Sequence, residues 1–164
     1  MAKPSTTFNI SKGKVNAYFD RVANNDPANA AIEIILLKTA VADNSLVAFE
    51  TLSALLADAG NEEADFTNYA RITLTDAEIS GSVVDHASEE CNSFIPDQQI
   101  LSAGGTTDNA LVKIVTCYTP DSTVSDDSTR IPCDFYAVSG TTTGNNMNIN
   151  FDDVEGAHIA QEAP

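Results

Sequence analysis

The chain has no tryptophan, two histidines, three cysteines and eight lysines plus arginines against 24 acids, for a formal charge of −16 over 164 residues. Each scarcity excludes a class of function. Without tryptophan a sugar cleft loses its usual stacking surface. With so few bases, and no basic stripe interleaved with aromatics, the chain repels phosphate and is not expected to bind nucleic acid. An odd number of cysteines argues against a dedicated disulfide framework. Cys117 and Cys133 fall on successive candidate strands, where they either face each other or serve as small buried hydrophobes. No run approaches the roughly 20 apolar residues of a membrane span. The first eight residues hold no apolar stretch of signal-peptide length, so neither secretion nor a membrane location is expected. The NIS sequon at 9–11 then carries no meaning.

Motifs of catalysis are equally scarce. There is no Gly-x-Ser-x-Gly elbow and no His-Glu-x-x-His pair. His86 lies in an acidic stretch and His158 near the end of the chain, and both read as surface or packing residues. The group Asp85, His86, Glu89, Glu90 and Cys91 has ligand-type side chains but lacks a second His or Cys at zinc spacing, so it reads as a solvated loop. Asp121, Asp126 and Asp127 share one loop, where oxygens can gather around a hard cation. The spacing and glycine of an EF-hand are missing there. Gly104-Gly105 is followed by a strand pattern rather than a helix, which suits a hairpin turn and not a phosphate cradle. No enzyme and no cofactor are expected.

What the chain does have is a hydrophobic content of 43%, too high for disorder, arranged largely with period 2. One domain is expected from the length. Residues 1–11 read as an extended arm, with Phe8 and Ile10 alternating, and their deletion is expected to leave the domain folded. Over 12–24, Val15, Tyr18, Phe19 and Val22 fall on one face of a helix, ended by the NNDP turn at 24–27. Residues 30–41 are nearly all apolar and rich in β-branched side chains, which predicts a strand buried on both faces. A second helix is expected over about 47–58, with Phe49, Leu52, Leu55 and Leu56 as its stripe and Gly60 beyond its end.

Strand patterns follow at 69–75, 94–101, 110–118, 133–138, 147–151 and 157–160, separated by polar turns. The region 76–93 is acidic and irregular. Within 110–118, Val112, Ile114, Thr116 and Tyr118 share one side, and Leu111, Val115 and Cys117 the other. The fold class predicted is mainly β, an antiparallel sandwich or barrel over 12–164, with two short helices near the N-terminus closing an open face or edge.

Four groups of short words occur in order: VNAYFDRV at 15–22 with NDPAN at 25–29; ETLSALL at 50–56; YAR at 69–71 with LTD at 74–76; and IPDQ at 95–98 with KIVTCY at 113–118. Together they resemble a family of small structural proteins of tailed bacteriophages, over about residues 8 to 138. The resemblance implies a virion protein made in the host cytoplasm and placed on the capsid surface. Its role would be that of a capsid cement or decoration protein, with the major capsid protein as partner and a homotrimer as the implied assembly. It brings no catalytic, cofactor or metal residue. Phe8, Ile10, Val15, Tyr18 and Phe19 are the first candidates for contacts with neighbouring subunits, ordinary core being their other reading. The alternative is a tail or fibre accessory that binds a host surface.

Overall fold

A computed structural model describes residues 6–79, 84–85, 90–91, 95–152 and 156–161, with side chains omitted at 84–85, 90–91, 152 and 156–158. In chain order the strands are β1 (Thr6–Thr7), β2 (Ala31–Thr39), β3 (Glu62–Glu63), β4 (Ile72–Leu74), β5 (Val84–Asp85), β6 (Glu90–Cys91), β7 (Gln98–Ile100), β8 (Ala110–Thr119), β9 (Ile131–Thr141), β10 (Met147–Asp152) and β11 (Gly156–Gln161). The helices are α1 (Val15–Ala23), α2 (Asp43–Leu46), α3 (Leu52–Ala57) and α4 (Asp76–Ile79), with a 3₁₀ turn at Asn9–Ser11. The protein is mainly β.

The frame is an antiparallel sheet ordered β1-β9-β8-β2-β3, with β4 also paired to β2. A three-stranded sheet, β11-β10-β7, packs beside it, and β5 pairs with β6. The run 30–41 forms the strand its composition predicts. Ala31 to Leu37 are all buried because the sheet is covered on both faces. On one face Ile32, Ile34, Leu36, Ile114 and Tyr118 meet Phe19 and Val22 of α1, Ile79 of α4, and Ile100, Met147 and Ile149 of the smaller sheet. On the other, Ile35, Leu37, Val115, Cys117 and Phe135 meet Leu46, Leu52, Leu55 and Phe8. The helices therefore lie on opposite faces rather than closing one.

Three expectations need correction. The segment 6–11 is part of the domain. Thr6 and Thr7 pair with Phe135 and Asp134 at the edge of β9, Phe8 is fully buried, and its ring meets Phe135 edge-on at 5.4 Å. The helix expected over 47–58 is confined to α3, and a separate short helix, α2, precedes the span. Thr51 is extended (φ −137, ψ 156) and its side chain accepts a hydrogen bond from Ala54 N–H, so it starts α3 as an N-cap and cuts the periodic stripe.

The third correction concerns which way the side chains of β8 and β9 face. The register shifts between Leu111 and Lys113 and again between Val115 and Cys117. Each shift takes three residues of β9 against two of β8, a bulge that reverses side-chain facing. Beside the first shift the facing also changes within β8: Leu111 joins Ile114 and Tyr118, while Val112 packs on the opposite face with Val115 and Cys117. The second bulge also sends Cys133 to the α1 face and leaves Cys117 on the other, so the two thiols are free and do not face each other. Burial pushes the thiol of Cys133 up to about 12.

The shorter strand patterns survive in part. Strand 94–101 is reduced to β7, since 95–97 lie outside any strand and 94 outside the described residues. The turns at 103–105 and 141–146 lie side by side, joined by Gly144 N–H to Ala103 O at 2.7 Å and Ala103 N–H to Asn145 O at 2.9 Å. Gly104, with φ +92, sits so close to Asp108 and Thr142 that a Cβ there would meet Asp108 Oδ1 at 2.1 Å.

Candidate functional site

One position in β2 breaks its apolar run. Glu33 points toward the α3 side of the sheet and is 2% exposed. A carboxylate buried to this extent requires a charged, hydrogen-bonded partner. Arg130, 5% exposed at the end of the β8–β9 loop, supplies it. Its Nε donates to Glu33 Oε2 at 2.6 Å and its Nη2 to Oε1 at 2.9 Å. This is the two-pronged geometry that suits guanidinium to carboxylate.

The network continues outward. Arg71, just before β4, donates from Nε and Nη2 to Glu63 of β3, both at 2.7 Å. It also donates to both oxygens of Asp127, at 2.5 and 3.0 Å. Arg130 Nη1 lies 3.4 Å from Asp127 Oδ1. Tyr69 donates its hydroxyl proton to Glu63 at 2.8 Å and accepts from Leu36 N–H at 3.2 Å. The first turn of α3 closes the arrangement: Leu52 N–H donates to Arg130 O and Ser53 N–H to Asp127 O, each at 3.0 Å. Those are helix-end donors with no partner inside the helix. The polar loop is thus fastened to β2, β3, the start of β4 and α3.

The electrostatics agree with the geometry. The hydrogen bonds Arg71 donates to Glu63 and Asp127 push its guanidinium upward, and those Arg130 donates to Glu33 do the same for it. The hydrogen bond from Arg71 holds Asp127 below the usual carboxylate range. A depressed acid contributes stability at neutral pH that is lost as pH falls through its folded value. Asp127 therefore weakens the loop's attachment only in acid.

Beside the network is an open groove of about 500 Å³, walled by Arg71, Asp126, Asp127 and the hydroxyl residues Thr73, Ser122, Thr123 and Ser125. The three loop acids do not converge in it. Asp121 accepts from Thr123, Asp126 from Ser128, and Asp127 is taken by Arg71. No group of three or more potential metal-ligating side chains occurs among the described residues. The cluster 85–91 containing His86, and the side chain of His158, lie outside them.

The five candidate contact residues do not form one patch. Phe8 and Ile10 pack on the α3 side, Phe8 entirely buried. Phe19 is core on the α1 side at 2% exposure. Val15 and Tyr18 are half-buried there, and Tyr18 stacks on Tyr118 at 4.6 Å, nearly parallel. Burial removes Phe8 and Phe19 from the surface of the folded chain. The ionic network was missed in the sequence, although one signal was present: a single acid inside the otherwise apolar run 31–37, in a chain with only eight basic residues to answer it.

Asp134 is the other buried acid of note. It is 9% exposed on β9 and accepts from Thr7 Oγ1 at 2.6 Å. Burial pushes its carboxyl above the usual range, against the smaller opposite pull of Thr7. A raised acid favours the folded state when protonated, so its contribution is present below the unfolded pKa and is lost as pH rises through the folded value. Asp134→Asn keeps the acceptor and removes the charge. Thermal unfolding of this variant should show a higher Tm than the parent at about pH 7–8, with the gap closing by about pH 4. A gap independent of pH would refute the burial explanation.

Comparison of the chain with protein-family models, with curated proteins and with solved structures gives no match.

Proposed function

We propose that the chain is a structural protein of a bacteriophage virion, a capsid cement or decoration protein that binds the major capsid lattice. The reading is carried by the ordered sequence words and by the parts of the fold they occupy. VNAYFDRV makes up most of α1, ETLSALL holds the cap and most of α3, YAR contributes Arg71 of the ionic network, and KIVTCY is the centre of β8. The resemblance therefore falls on the frame and its fastening. That placement favours a role resting on shape and rigidity over one resting on a reaction.

Two further features support it. The polar β8–β9 loop is held by ion pairs and helix-end hydrogen bonds, which gives an exposed surface of fixed shape. Such a surface loses little conformational entropy on binding. The charge of −16 suits an outer coat that keeps particles apart. Modest contacts suffice for a protein arrayed on a lattice when each oligomer attaches at two or three points, and a homotrimer is the assembly proposed.

The test is the copy number of the protein in purified particles, measured by densitometry against the major capsid subunit. A ratio near one per subunit, or a simple fraction of it, is expected. A few copies per particle would replace this reading with that of a tail or fibre accessory, and complete absence would overturn both.

A further inference from the structure

We infer that the N-terminal segment 6–11 exchanges between copies of this chain, each copy's Phe8 filling the socket of another. The inference goes beyond the virion reading and does not depend on it.

The socket is defined by what fills it. Phe8 lies among Leu46, Leu52, Leu55 and Phe135 with no exposed surface. Phe8 N–H donates to Cys133 O and Asn9 N–H to Val47 O, each at 2.9 Å. Thr7 Oγ1 reaches Asp134 and Ser11 Oγ reaches Pro132 O, both at 2.6 Å and across more than 120 residues of chain. The segment is thus a separate plug, anchored on β9 and on the end of α2. Its strand β1 forms the sheet's edge, so the site opens sideways without disturbing the strands within.

The plug joins the rest of the chain through Lys12, Gly13 and Lys14, all exposed. Lys14 N–H donates to Ser11 O at 2.9 Å across this link. Gly13 has φ +74 with nothing within 4 Å of a Cβ placed on it, so the tight return onto the same chain depends on backbone conformation alone. Exchange preserves every contact of the plug and changes only this link, which makes it a low-cost route to association. A second copy is the occupant because it carries the same socket, and charge limits the exchange rather than driving it. Two chains of −16 repel, yet the link carries Lys12 and Lys14, which pair with no acid among the described residues. In an exchanged pair these two cations lie at the crossover between two acidic bodies.

The first arm of the test is Gly13→Val. A β-branched residue at φ +74 penalises the return turn by about 1–2 kcal/mol and leaves an extended crossover unpenalised. Sedimentation velocity at equal protein concentration should therefore show roughly a tenfold rise in the dimer and larger fraction, that energy converted to a ratio. A variant that stays monomeric at every concentration, with only its Tm lowered, would overturn the inference.

The second arm keeps Gly13 and decides the matter if that variant does not fold. Full-length chain labelled with ¹⁵N and carrying a photo-activatable phenylalanine analogue at position 8 is mixed with unlabelled parent chain, and the mixture is cycled through mild denaturant at high concentration. Adducts between the labelled position 8 and unlabelled peptides containing Leu46, Leu52 or Phe135 are expected in the oligomer fraction. Adducts confined to labelled peptides, or the absence of an oligomer fraction, would overturn the inference.

Discussion

Arg130→Ala is expected to destabilise the fold by about 3–5 kcal/mol, because it leaves Glu33 buried and uncompensated. The basis is the pair's burial, with side chains 6% and 3% exposed, and its two short hydrogen bonds. A control separates the stranded charge from the worth of the pair itself. Glu33→Met combined with Arg130→Met should recover most of the loss, since replacing both partners of a buried pair by apolar groups of similar volume is often neutral. Urea unfolding of the two variants and the parent measures this directly. A cost below about 1 kcal/mol for Arg130→Ala, the value of an exposed ion pair, would show that the network is solvated and does not fasten the loop.

Phe8→Ala is expected to cost about 3–5 kcal/mol, the range for emptying a buried aromatic site. The parent ring touches side chains from α2, α3 and β9, so the cavity opens in the middle of the second core. The same measurement separates a core segment from a frayed terminus. A change within about 0.5 kcal/mol, typical of surface substitutions, would restore the reading of 6–11 as an arm outside the domain. The exchange inferred above is compatible with the large cost alone, because an exchanged plug is as buried as an intramolecular one.

How much of this was legible beforehand follows the physics of each element. β2 and β8 were readable because burial dominates their composition and β-branched residues are frequent in them, β9 because IPCDFYAV is largely apolar, and β10 because Met147, Ile149 and Phe151 alternate with polar residues. α1 was readable because Val15, Tyr18, Phe19 and Val22 repeat at helical spacing and Pro27 follows. The late start of α3 was obscured because Phe49, Leu52, Leu55 and Leu56 satisfy a helical period although Phe49 precedes the helix. The cap at Thr51 is a local hydrogen bond that periodicity does not register. The facing of Cys133 was not readable, since a bulge adds one residue to β9 and reverses what lies beyond it.

The candidate site was the least legible part. Its members, Glu33, Glu63, Arg71, Asp127 and Arg130, are scattered over nearly a hundred residues and come together only through the sheet order. Phe8 stayed between two readings for a similar reason. An alternating apolar pair near an end of the chain reads the same whether it covers a neighbour or fills its own core, and only the vacancy beside Phe135 decides.

The central claim is that this chain is a rigid lattice-binding protein. It is tested most directly by adding the purified chain to particles that lack it and measuring bound protein per capsid subunit together with the temperature at which the genome escapes. Saturation at a simple ratio to the capsid subunit, with escape moved to higher temperature, is the predicted result. Absence of saturable binding to the capsid, with the escape temperature unchanged, would contradict it.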